Sequence, residues 1–163
     1  MSGMKPLLEV SMGIDAFSSA WVHCDRISSY VARMVSHNRA DPLLYANLLS
    51  SALNELLEIA FAHHGPEGDI SCRVSRSGAS DIIELSLPCD DAALGFYTGA
   101  AEQLKRADLA EAYQSALFSP GAGDPHLGLL EIAVDYKARI SILPEGGKRV
   151  LVAATVELEG AVS

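Results

Sequence analysis

The feature that most limits how this chain can fold is a change in the spacing of its apolar residues around Gly65, Pro66 and Gly68. Before that point, Asp41 followed by Pro42 marks a helix start. A side-chain acceptor meets free amides there, and a residue without an amide costs nothing in a first turn. The Leu-rich run that follows predicts a long helix to about His63. After that point Ile70, Cys72 and Val74 alternate with Ser71, Arg73 and Ser75. Past Ser77 and Gly78, Ile83, Leu85 and Leu87 flank Glu84 and Ser86. A period near 3.6 puts a stripe on one side of a helix, and a period of 2 puts alternate side chains on one face of a strand. The chain must therefore hold a long helix followed by a hairpin with one buried face, closed by Pro88.

The other segments fill in around this pair. Leu7 to Ile14 reads as a first strand. From about Ala20 to His37, Trp21, Cys24, Ile27, Tyr30, Val31 and Met34 recur at helical steps, which predicts an amphipathic helix with these residues on one face and Asp25, Arg26, Ser28 and Arg33 turned away. Asp91 to Phe118 predicts two helices parted near Ala107 and Asp108, followed by a loop from Ser119 to Pro125. His126 to Tyr136 is helical again. Ala138 to Leu143 and Arg149 to Leu158 form a second hairpin about Pro144, Glu145, Gly146 and Gly147. The order strand, two helices, hairpin, helical insert, helix, hairpin predicts an α+β two-layer sandwich. Its mixed sheet would be built from the two hairpins and the N-terminal segment, with the helices on one face. No repeat or linker divides residues 1–163, so a single domain is expected.

Composition narrows the function. Twelve Lys and Arg against twenty-one Asp and Glu give a net charge of −9, which does not suit a surface that tracks phosphate backbones, so nucleic acid is not an expected partner. At 49% hydrophobic and 20% charged residues the chain can bury a core. The Leu43 to Phe61 stretch is interrupted by Asn47, Asn54, Glu55 and Glu58, so no membrane span is expected. Met1 to Val10 lacks the apolar run and cleavage site of a signal peptide, so a cytoplasmic protein is expected. Cys24, Cys72 and Cys89, odd in number and widely spaced, read as buried thiols.

Two segments carry a family resemblance: Asn54-Glu55-Leu56-Leu57-Glu58-Ile59-Ala60-Phe61 in the long helix, and Asp124-Pro125-His126-Leu127-Gly128-Leu129-Leu130-Glu131-Ile132-Ala133-Val134-Asp135-Tyr136 in the later loop and helix. With a hairpin between them and another after them, they resemble the histidine-kinase-like ATPase (GHKL or Bergerat) fold. More narrowly, they resemble stand-alone bacterial regulators grouped with SiaB-type protein kinases and anti-sigma-factor kinases. The resemblance implies roles for particular residues. Glu55 matches the family's water-activating Glu and is the candidate catalytic residue. The position four residues on, an Asn that helps hold magnesium in the family, is Ile59, which has no lone pair for a hard cation, so no magnesium site is expected. The adenine-reading Asp-x-Gly-x-Gly has no full counterpart: Pro88-Cys89-Asp90-Asp91 supplies Asp90 without the glycines. The second glycine box, Gly-x-Gly-Leu, reads His126-Leu127-Gly128-Leu129. Gly128 and Leu129 remain as candidate cofactor contacts, because amides at a helix start can cradle a phosphate.

Each of these residues also has a structural reading. Glu55 can be a solvated carboxylate, Gly128 a close-packing glycine, and His63 and His64 helix-end caps whose partial positive charge suits the dipole. His23 beside Cys24 is no zinc pair, since neighbouring helical side chains diverge. Asp124 and His126 with some serine make no triad without a nucleophile elbow. Three altered nucleotide contacts together imply ATP chemistry that is weak or absent. The expected function is a signalling regulator that binds a protein partner, for example an anti-sigma-antagonist-like domain. Homodimerisation through the Trp21–Met34 helix is a further expectation. The alternative is an active kinase that phosphorylates a Ser or Thr on such a partner.

Overall fold

The computed structural model describes residues 4–37, 39–118 and 126–157. The Ser119–Pro125 loop, Asp124 and the end of the last strand at Leu158 lie outside the described residues. Five strands, β1 (Lys5–Gly13), β2 (Asp69–Ser77), β3 (Ser80–Pro88), β4 (Arg139–Glu145) and β5 (Arg149–Val156), form one sheet in the order β1-β2-β3-β5-β4. The helices are α1 (Ile14–Phe17), α2 (Val22–Val35), α3 (Pro42–Ala62), α4 (Asp91–Leu104), α5 (Leu109–Leu117) and α6 (Leu127–Asp135). The α+β sandwich is as the sequence predicts, but the sheet is wholly antiparallel rather than mixed. Parallel neighbours need a single crossover. Here two long helices, α2 and α3, separate β1 from β2. Although β4 runs in the same direction as β3, its hairpin partner β5 lies between them. Each edge strand contains a proline, Pro6 in β1 and Pro144 in β4.

One face of the sheet is dry. Cys72, Val74, Ile83, Leu85, Val152 and Ala154 point into it, and α3 lays Leu49, Leu53, Leu56 and Leu57 in the same core. Asp41 caps α3 as its position predicts, accepting from the Leu44 amide at 3.1 Å. The other face meets solvent, with Arg73 between Glu9 and Glu84 at 3.7 and 3.9 Å. Helix α2 lies rotated from the expected orientation. Cys24, Ser28, Val31, Ala32 and Val35 are buried, while Trp21, Tyr30 and Met34 are 53%, 46% and 48% exposed. Small side chains let α2 approach α3 closely, and Ser28 is accommodated because its hydroxyl donates to the Asp25 carbonyl at 3.0 Å.

A buried charge cluster ties the α2–α3 connection to the β2–β3 hairpin. Asp81 is fully buried. Its Oδ1 accepts from Arg39 Nη2 at 2.9 Å and from Arg76 Nε at 2.7 Å. Its Oδ2 accepts from Arg76 Nη2 at 3.1 Å and from the Tyr45 hydroxyl. Arg76 Nη2 also donates to the Val35 carbonyl at 2.8 Å, and the Arg39 guanidinium lies 4.7 Å from the Tyr45 ring centroid. Burial, with Asp81 accepting from it, holds the Tyr45 hydroxyl well above its usual pKa. A carboxylate so enclosed is tolerated only because every lone pair is engaged. Asp81→Ala would leave two arginines beside an apolar hole, and should cost about 3–5 kcal/mol in urea unfolding. A loss under about 1 kcal/mol would reduce the cluster to the rank of a surface pair.

Candidate functional site

Helix α3 turns Glu55 and Ile59, one turn apart, toward the first turn of α6. A Cβ added at Gly128 would lie 3.2 Å from Ile59 Cδ1, 3.5 Å from its Cγ1 and 3.6 Å from Glu55 Oε2. The start of α6 is thus seated directly on α3, and the absence of a side chain at residue 128 allows that approach. Glu55 and Gly128, far apart in sequence, are brought together. Leu129, the next residue, is 1% exposed and belongs to the core.

Behind this contact two carboxyls meet. The Glu55 pKa is raised above its ordinary value by burial first, then by the charges of Glu131 and Glu58, and least by the Glu131 carboxyl acting as a hydrogen-bonding neighbour. A shared proton relieves the repulsion between such a pair. Next to them the Tyr113 hydroxyl donates to Asp135 Oδ2 at 2.8 Å, joining α5 to α6. Burial and that bond push the Tyr113 hydroxyl up to about 12. The sequence offered no reason to pair Glu131 with Glu55. The available signal was an acid among the apolar residues of α6.

Rings from α4 and from the ends of α3 and α6 pack together. His63 stacks on Phe96 with centroids 3.6 Å apart and planes 6° from parallel. His126 tilts onto the far side of the cluster, 4.9 Å from Phe96, with its Nε2 3.0 Å from the Phe96 carbonyl. Gly99 makes room for that imidazole, since a Cβ there would come within 3.1 Å of His126 Cε1. Tyr97 closes the group, donating to the His63 carbonyl at 2.8 Å. His63 is the C-cap residue of α3, as its position suggested. Burial, followed by the nearby His126 and His64, lowers its pKa, so it acts as a neutral stacking ring rather than as a charge on the helix dipole. The replacement of glycine by histidine at 126 was visible in sequence. Its partner Phe96 was not.

Asp90 is engaged at the start of α4. Its carboxylate caps α4, accepting from the Ala93 amide at 2.8 Å. It borders a cleft of about 380 Å³ that is also lined by Cys89, Lys148 and Arg149. Among the described residues, no three His, Cys, Asp or Glu side chains converge as a metal site requires. No helix of the described residues is long and apolar enough to cross a membrane. Cys24, Cys72 and Cys89 are buried and unbridged, with burial raising the thiol pKa of Cys24 to about 11 and of Cys72 to about 12.

No family model and no curated protein matches the chain. Among solved structures, a chain of the SiaB–SiaC complex from Pseudomonas aeruginosa aligns over 93% of this chain and 90% of its own length, with a TM-score of 0.62 and 15% identity. At that identity the likeness shows the fold alone, and the fold is SiaB-like.

The raised Glu55 pKa has a measurable sign. A carboxyl that holds its proton more tightly when folded contributes stability below its ordinary value of 4.5, and that stability is lost as pH rises through the raised value. Glu55→Gln, which keeps a donor toward Glu131 at every pH, should therefore raise the urea midpoint near neutrality and show no advantage in acid. An unchanged midpoint near neutrality would show that the two carboxyls do not oppose each other in solution.

Proposed function

We propose that the chain is a signalling regulator of the histidine-kinase-like ATPase superfamily that works by binding another protein, and in which magnesium–ATP chemistry is weak or absent. The observation that carries this reading is the seat of α6 on α3. Where the resemblance places a magnesium-holding Asn opposite a glycine-lined phosphate cradle, the Ile59 side chain meets Gly128. Ile59 brings no lone pair to a cation. The Asp90 carboxylate is engaged as a helix cap, and His126 packs on Phe96 where the family has a glycine. A protein partner is supported by the SiaB–SiaC structure, in which a chain of this fold stands in a complex. The resemblance to anti-sigma-factor kinases points to an anti-sigma-antagonist-like partner, encountered in the cytoplasm.

The kinase reading has one observation in its favour. Glu55 has a raised pKa beside a second carboxyl, a property shared by general bases. Two measurements separate the readings. Titration of a labelled ATP analogue should show no appreciable gain from magnesium, and Ile59→Asn alone should not create one, because the ring cluster around Phe96 still fills the neighbouring space. A large magnesium-dependent gain in the wild type would overturn the proposal. Phosphotransfer to a co-purified partner should be absent from wild type and from Glu55→Ala alike, with binding retained by both. Transfer by the wild type that falls about 10²–10⁴-fold in Glu55→Ala would establish the kinase instead.

A further inference from the structure

The outward side of α2 differs in character from the rest of this acidic chain. With 3.6 residues per turn, Val22, Arg26, Tyr30, Arg33 and Met34 fall within an arc of about 120°, opposite the buried arc of Cys24, Ser28, Val31 and Val35. All five are exposed. The one acid of the helix, Asp25, falls outside that arc. Among the described residues neither arginine has a carboxylate within 4.0 Å, whereas Arg39, Arg73, Arg76 and Arg106 all do. Tyr30 lies along the helix between the two arginines, with Met34 just past Arg33, and this is the composition of an interface centre, where Tyr and Arg are enriched. In a chain of net charge −9, it is an acid-free cationic strip with apolar side chains beside it.

Resting on the binding role proposed above, we infer that this α2 face is the docking surface for a different protein, one that presents carboxylates around a small apolar pocket. The chemistry selects that occupant over three others. An anionic bilayer or a nucleic acid is an extended negative surface and would meet the whole −9 charge of the chain, while a compact acidic patch interacts mainly with what lies within a Debye length of about 8 Å. A second copy is disfavoured as well. A two-fold axis through the middle of the strip would bring Arg26 of one chain against Arg33 of the other, like against like.

The test uses the full chain in its native cells with Tyr30→p-benzoylphenylalanine, a photo-cross-linking substitution on an exposed position. The protein captured through that position is identified, purified and titrated against wild type, Arg26→Glu/Arg33→Glu and a control, Lys105→Glu. The double reversal should weaken binding at least about tenfold with an unchanged circular dichroism spectrum, the control should bind like wild type, and added salt should weaken the wild-type complex. The inference is overturned if nothing cross-links, if only a second copy of the chain is captured, or if the double reversal leaves affinity within about threefold. Co-sedimentation with phosphatidylglycerol vesicles that the double reversal abolishes would assign the face to a membrane and equally overturn it. Phosphotransfer by the wild type together with intact α2 docking would sink the preceding reading and leave this one standing.

Discussion

Burial of one stripe of α3 is the constraint on which the rest of the structure depends. Tyr45, Leu49, Leu53, Leu56, Leu57 and Ala60 run the length of the helix on its buried side. The sheet's inner face, the small residues of α2 and the first turn of α6 all complete a core that this stripe begins. At its N-terminal end Tyr45 also reaches Asp81, so the apolar core and the buried charge cluster share a member. Apolar burial supplies the driving force without direction, while the cluster adds direction, since its hydrogen bonds are satisfied only when the hairpin and the α2–α3 connection meet in one arrangement.

Much of this was legible in sequence because it rests on local chemistry. The Asp41-Pro42 start of α3, the break at Gly65 and the alternation of Ile70, Cys72 and Val74 each depend on a few adjacent residues. What could not be read required knowledge of neighbours. The α2 face was misjudged because Trp21, Tyr30 and Met34 are as periodic as the true inner stripe. Cys24 and Val31 are buried as expected, and only the close approach of α3 decides that Ser28 and Ala32 join them in place of Tyr30 and Met34. The fully antiparallel sheet follows from the insertion of β5 between β3 and β4, a long-range choice that hairpin signals leave open.

The candidate site divides in the same way. Family-like residues in two segments bring Glu55 and Gly128 together, and this pairing was legible. Of the residues packed nearby, Glu131 lies in the second of those segments with no role in its motif, and Phe96, which stacks on His63 and His126, lies in a segment with no motif at all. Their effect is steric and electrostatic rather than chemical. Ile59 and Phe96 occupy volume, while Glu131 opposes the ionisation of Glu55. Glu55, which matches a reactive pattern in sequence, sits in surroundings that raise its pKa, which is why function has to be argued from the site rather than from the fold.

The two edge prolines bear on how this molecule can take part in larger assemblies. An open five-stranded antiparallel sheet offers a row of backbone donors and acceptors on each side, a template that joins strands with little regard for sequence. Pro6 and Pro144 bring no backbone N–H to these edge strands, and the irregular register between Pro6 and Leu8 disturbs the first of them further. Recognition is thereby shifted from main chain to side chain. A contact made by side chains can be redirected by a single substitution while the sheet beneath it stays the same.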